Sequence, residues 1–243
     1  MNWNDEALVI SARPHGESGA LVMLLTRGRG RWRGLVRGGR SRRLRPVLQP
    51  GNRVRAAWRA RLEEQLGGFT VEPLEMVAGR LIDDGLALAG LAVLCSHMAL
   101  LPEREAQPRL YEAATMIISR LREADLWPAL LARFEMELLA ALGFGLDLSG
   151  CALGGEGELA WVSPLTGRAA SRAAGEPWAE KLLPLPGFLV NGAGAPPGRR
   201  EVLQALELSG HFLGQRVYEP RGLAPPLERQ WILEHLAGQG AGR

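Results

Sequence analysis

The chain has 243 residues, 47% of them hydrophobic and 23% charged, with 29 basic against 26 acidic side chains. That is enough apolar material for one sizeable core or two smaller ones, and it excludes a compositionally disordered chain. The net charge of only +3 excludes a uniformly basic protein, so the distribution of charge carries the information.

The opening MNWNDEALVISARPHGES carries acids where a secretory leader needs basic and then apolar residues, and no uninterrupted run of 18 apolar residues follows. A cytoplasmic location is expected. Strand signals fill the first 76 residues: EALVISAR, ALVMLLT, RWRGLVR, RVRAAWRARL and GGFTVEPLEM, separated by Gly or Pro. Five strands in so short a stretch suit a small barrel, assigned to residues 1–78 as a nucleic-acid-binding domain.

The clearest period-2 pattern is RVRAAWRAR, where Val54, Ala56, Trp58 and Ala60 share one parity and Arg53, Arg55, Arg59 and Arg61 the other. In RWRGLVR the same reading turns Trp32, Gly34 and Val36 inward and Arg31, Arg33 and Arg37 outward. Trp32 and Trp58 are thus read as barrel filling, not as stacking platforms for bases. Between these strands runs RGGRSRRLRP.

Thirteen of the 28 arginines fall in positions 27–61, where an even spread would place about 4. They are Arg27, Arg29, Arg31, Arg33, Arg37, Arg40, Arg42, Arg43, Arg45, Arg53, Arg55, Arg59 and Arg61, and no acid occurs from Ser18 to Leu62. The rest of the chain is net −10. A solvated surface ordinarily mixes both signs, whereas a one-sign field calls for a polyanion. Nucleic-acid binding through phosphate contacts is the expectation, ahead of a membrane surface or a ribosome.

From Val77 the period changes to 3.6. GRLIDDGLALAGLAVLCSHMALL, PRLYEAATMIISRLRE, LWPALLARFEMELLAALGFG, REVLQALELSGHFLGQRV and PPLERQWILEHLAG read as helices of a partner-binding domain over 79–243. Within it, about 146–187 loses the periodicity and reads as a small irregular insert. NGAGAPPG reads as a break and QGAGR as a frayed tail.

A search for catalytic constellations returns none. Lys181, the single lysine, lacks the glycines of a phosphate-binding loop, and HGESGA is one residue short of a nucleophile elbow at Ser18. His15, His97, His211 and His235 show no paired spacing, and His97 lies in an apolar helix as a core histidine does. Asp83 and Asp84 could hold a divalent ion in a nuclease, but acids at a helix start ordinarily serve the helix dipole. Cys95 and Cys151 are 56 residues apart and read as free thiols. The expectation is a protein without catalytic residues, cofactor or metal.

ALVISARPHGESGALVMLLTRGRGRWRGLVRGGRS, LQPGNRV and LARFEMELLAALGFGLDLSGC, in that order, resemble the bacterial recombination mediator family RecO across nearly the whole chain. The resemblance is most specific in the first 60 residues and in the RFE…LGFG helix. It implies an α+β fold, with a five-stranded OB-fold barrel followed by a mostly helical domain. It also implies binding to single- and double-stranded DNA, strand annealing, and help in loading RecA onto DNA coated by single-strand binding protein, in the bacterial cytoplasm at the nucleoid. Implied partners are RecR, the acidic C-terminal tail of single-strand binding protein, the RecA filament indirectly, and RecF.

Arg133, in the RFE motif, is the candidate seat for the acidic tail, the competing reading being an i,i+4 pair with Glu137. Many members of the family carry a four-cysteine zinc site in the insert. Here only Cys151 matches, with Gly154 in the second position and Ser171 and Ala174 near the later pair, so packing of Leu159, Trp161 and Leu165 is expected to hold the insert. The rival functions are an RNA-binding OB-fold protein of the ribosome or translation and, less well supported, a metal-dependent nuclease.

Overall fold

The computed structural model describes residues 1–62, 65–190 and 196–238; most of the expected Gly/Pro break, 191–195, and the expected frayed tail, 239–243, lie outside the described residues. Strands β1 (Asn2–His15), β2 (Gly19–Thr26), β3 (Gly30–Val36), β4 (Arg53–Arg59) and β5 (Gly68–Glu75) close a barrel in the order β1-β2-β3-β5-β4, an OB-fold. Alternation decides what fills it. Ala7, Val9, Val22, Leu24, Trp32, Val36, Val54, Ala56, Trp58, Phe69 and Val71 form one buried cluster, with Trp32 and Trp58 edge to face at 4.9 Å. Such an aromatic pair adds about 1 kcal/mol beyond the apolar area that it buries.

β1 begins four residues before the expected EALVISAR. Asn2–Asp5 has little strand propensity of its own, and tertiary pairing supplies what propensity does not. Asn2 opposes Arg59 and Trp3 opposes Trp58 on β4, while the Met1 amino group donates to the Ala60 carbonyl at 2.7 Å. The Trp3 ring then joins the aromatic cluster, 5.1 Å from Trp32. A bulge between Val9 and Ser11 re-aims the second half of β1, leaving Ala12 against the core cluster and Arg13 exposed.

The chain divides into two compact units, Met1–Ala124 and Asp125–Arg243. The first holds the barrel together with α1 (Gly85–Met98) and α2 (Pro108–Arg120). Asp84 caps α1 by accepting the Ala87 N–H at 3.0 Å, and Pro108 sits in the first turn of α2, where a missing N–H does no harm. Gly30 turns β2 into β3 at φ +75°, and a Cβ there would strike the backbone of Glu105. Only glycine serves both needs.

The second unit holds α3 (Trp127–Ala141), a small sheet, α5 (Arg199–Leu213) and α6 (Leu227–Gly238). On α3 the apolar side chains Trp127, Leu131, Phe134 and Leu138 are buried. Glu135, fully buried, accepts both Arg229 Nε at 2.9 Å and Nη2 at 2.8 Å, which ties α6 to α3. Burial opposes charge on Arg229, but the Glu135 carboxylate outweighs it and holds the guanidinium pKa above its ordinary value.

The insert is more regular than its sequence suggests. β6 (Leu159–Val162), β7 (Ala169–Ser171) and β8 (Leu183–Pro184) form a three-stranded sheet in the order β7-β6-β8, with the single turn α4 (Arg172–Gly175) after β7. These strands are too short for alternation to register in sequence. Trp161 packs against Gly175 as a structural residue should, but Leu165 corrects the expectation: at the β6–β7 turn it is 87% exposed, so its side chain does not pack the insert.

Candidate nucleic-acid interface

β3 and β4 turn their apolar parity into the barrel, so their arginines leave on the other side: Trp32, Gly34, Val36, Val54, Ala56 and Trp58 are buried, while Arg33, Arg55 and Arg59 are exposed. The connection between the strands is an ordered series of turns. Val47 and Leu48 are buried in the barrel cluster, and the Ser41 hydroxyl accepts the Leu44 N–H at 3.2 Å. Asn52, 1% exposed, holds the end of the connection through four hydrogen bonds. Its side-chain amide donates to the carbonyls of Pro46 at 2.8 Å and Val47 at 3.1 Å, and its oxygen accepts the N–H groups of Val77 at 2.8 Å and Ala78 at 3.1 Å.

The sequence run without acids does not remain without acids in space. Arg27 pairs with Glu112 at 2.8 Å, and Arg33 with Glu103 at 2.5 Å. Arg31, placed outward by parity, is only 15% exposed; its Nε donates to the Leu101 carbonyl at 2.6 Å and its Nη1 lies 3.3 Å from Glu103. Arg53 meets Glu6 at 3.4 Å and Glu75 at 3.7 Å across the neighbouring strands. Surface pairs of this kind contribute about 0–1 kcal/mol each, so they neutralise more than they stabilise. No local pattern announces them, because every acid comes from a distant segment.

Arg29 lies over the Trp3 ring at 5.5 Å. Arg55 is in register with Glu6 and Glu72, and Arg59 with Asn2 and Gly68, and neither forms an ion pair among the described residues. Arg61 is exposed just beyond β4. Arg37, Arg40, Arg42, Arg43 and Arg45 are all exposed on the β3–β4 connection, with no ion pair among the described residues. The one-sign field thus concentrates on that connection. Arg13, outside the arginine-rich run, joins it across the β1–β2 hairpin and lines a groove of about 400 Å³ with Arg40 and Arg45. Sequence reading misses Arg13 because only the folded groove brings it beside Arg40 and Arg45.

The other candidates have local partners. Arg133 is exposed and donates to the Phe188 carbonyl at 2.8 Å, with its guanidinium 5.6 Å from the Phe188 ring, and it forms no ion pair with Glu137 among the described residues. Asp84 serves the α1 cap, and Asp83 lies 3.3 Å from Arg122.

Cys151, Ser171 and Ala174 do converge in the insert. The Cys151 sulfur accepts the Ser171 N–H at 3.2 Å, and the Ser171 hydroxyl accepts the Ala174 N–H at 3.4 Å. One thiol, one hydroxyl and a methyl do not fit tetrahedral zinc, and among the described residues no group of three or more His, Cys, Asp or Glu side chains gathers. Hydrogen bonds from Ser171 first, then from the Leu153 and Gly155 backbone, pull the Cys151 pKa down to about 7, whereas burial pushes Cys95 up to about 12.

No helix among the described residues is long and apolar enough to cross a membrane. Residues 1–77 match the family model for the recombination protein O N terminal, and residues 82–223 that for its C terminal. The chain is similar to the DNA repair protein RecO of Methylobacterium nodulans, at 56% identity over 95% of this chain and 96% of the relative. It is 53% identical to that of Chelativorans sp. over 96% and 94% of the two chains, and 48% identical to that of Rhodospirillum rubrum over 97% and 96%. The two family matches together cover the barrel and the helices that follow it, and the chain belongs to the recombination protein O family.

Proposed function

We propose that the chain is a DNA-binding recombination mediator in DNA repair that acts without catalytic residues or a cofactor. It would bind single- and double-stranded DNA, anneal complementary strands, and help load RecA onto DNA coated by single-strand binding protein. The observation that carries this reading is the set of exposed arginines on the ordered β3–β4 connection, Arg37, Arg40, Arg42, Arg43 and Arg45, with no ion pair among the described residues. Guanidinium groups held in place on a folded segment bind phosphate with less ordering than a disordered basic tail needs. Arg55, Arg59 and Arg61, exposed on and just beyond β4, would add further phosphate contacts. Arg27, Arg31, Arg33 and Arg53 would contribute only after exchanging a carboxylate for a phosphate.

In this reading the helical unit docks partners: RecR, the acidic tail of single-strand binding protein at Arg133, and RecF, with the RecA filament reached indirectly. Arg133 keeps donors beyond the one given to Phe188, so a carboxylate can still be received there. The test is annealing of labelled complementary strands precoated with single-strand binding protein. The chain should accelerate annealing, and Arg42→Ala with Arg43→Ala should slow it. No acceleration by the parent would refute the mediator reading, and tighter binding to RNA than to DNA of the same sequence would favour the translational rival.

A further inference from the structure

The groove beside the β3–β4 connection has a composition that phosphate binding alone does not require. Arg13, Arg40 and Arg45 line it together with Pro14 and Pro50, which give it an apolar side, and its volume is about 400 Å³. Arg40 is anchored by Nη1, which donates to the Glu17 carbonyl at 2.8 Å and the Gly16 carbonyl at 3.4 Å. Its remaining N–H donors have no partner among the described residues, and neither Arg13 nor Arg45 forms an ion pair among them. The recess therefore offers charge-assisted donors to an anion and an apolar surface to the body attached to it.

We propose that this groove seats one unstacked nucleotide of a single strand, with its phosphate on Arg13, Arg40 and Arg45 and its base against Pro14 and Pro50. The assignment rests on the DNA-binding reading above and adds to it the state of the strand. In a duplex the base faces are stacked, so a duplex presents phosphates to the exposed arginines but nothing that enters the recess. A single strand turns a base out at little expense, and the apolar side accepts any of the four bases, because every base has a flat face. Arg42 and Arg43 lie on the same ordered connection, so a strand leaving the groove meets further guanidinium groups.

The test uses the full chain and a fluorescence titration with a short oligothymidylate carrying one 2-aminopurine, alone and annealed to its complement. The parent should brighten the probe in the single strand as the base leaves its stack. Arg13→Ala should weaken single-strand binding about tenfold, as expected for one charge-assisted contact, and change duplex binding less than about twofold. Arg42→Ala should weaken both alike. Loss of single-strand and duplex affinity in equal measure on Arg13→Ala, no loss of either, or an unchanged probe in the parent would overturn the inference while leaving the DNA-binding reading intact. Absence of binding by the parent to either DNA would overturn both readings. Thermal unfolding checks that the exposed Arg13 is dispensable for folding; if it is not, Pro14→Ala, which trims the apolar side of the groove without removing an arginine of the connection, is read in its place, with loss of single-strand affinity alone expected.

Discussion

Cys151 shows how much one residue's neighbours determine. Its sulfur accepts the Ser171 N–H in an arrangement that would suit a metal thiolate, yet the neighbouring positions supply a hydroxyl and a methyl in place of further thiolates. The hydrogen bonds favour the charged form, so the folded thiol, held at about 7, carries thiolate from that pH upward and loses it as pH falls below. Alkylation of the native protein by iodoacetamide should rise with a midpoint near pH 7, with Cys95 left unmodified in its buried site. Elemental analysis should find far less than one zinc per chain, and a chelator should leave thermal unfolding unchanged. A midpoint near the ordinary thiol value of 9.0, or stoichiometric zinc, would contradict this account of the insert.

Among the elements, the β3–β4 connection depends on Asn52. Replacing it by Leu removes partners from two carbonyls and two N–H groups at once, of which the Val47 carbonyl and the Val77 N–H are in buried bonds. The expected loss is about 2–4 kcal/mol of unfolding free energy, measured by denaturant titration, together with weaker DNA binding because the arginines lose their fixed support. A stability change below about 0.5 kcal/mol would show that the turns hold themselves. The strands were legible because period 2 separates Arg53, Arg55 and Arg59 from Val54, Ala56 and Trp58, and the helices because their apolar stripes are long. The start of β1 was not legible, since Asn2–Asp5 becomes a strand only through pairing with β4. Nor were the partners of Arg27, Arg31 and Arg33, because Glu103 and Glu112 arrive from some 70 to 85 residues away.

On the scale of the whole molecule, a chain of net charge +3 carries 13 arginines in one acid-free run and net −10 elsewhere. Folding sharpens that asymmetry by neutralising Arg27, Arg31, Arg33 and Arg53 and leaving the β3–β4 connection as the concentrated positive surface. Binding there should be dominated by counterion release, with the logarithm of affinity falling linearly with the logarithm of salt by about 0.7 per phosphate neutralised on a single strand. The direct measurement is this slope for the parent, for Arg42→Ala with Arg43→Ala, and for Arg31→Ala with Arg33→Ala. The first double variant should be shallower by about 1.4 and weaken unrelated sequences equally, since no base edge is read. The second should change the slope less than half as much, because Glu103 already occupies both arginines. An unchanged slope in the Arg42/Arg43 variant, with folding intact by circular dichroism, would mean that the arginine connection is not where the protein holds DNA.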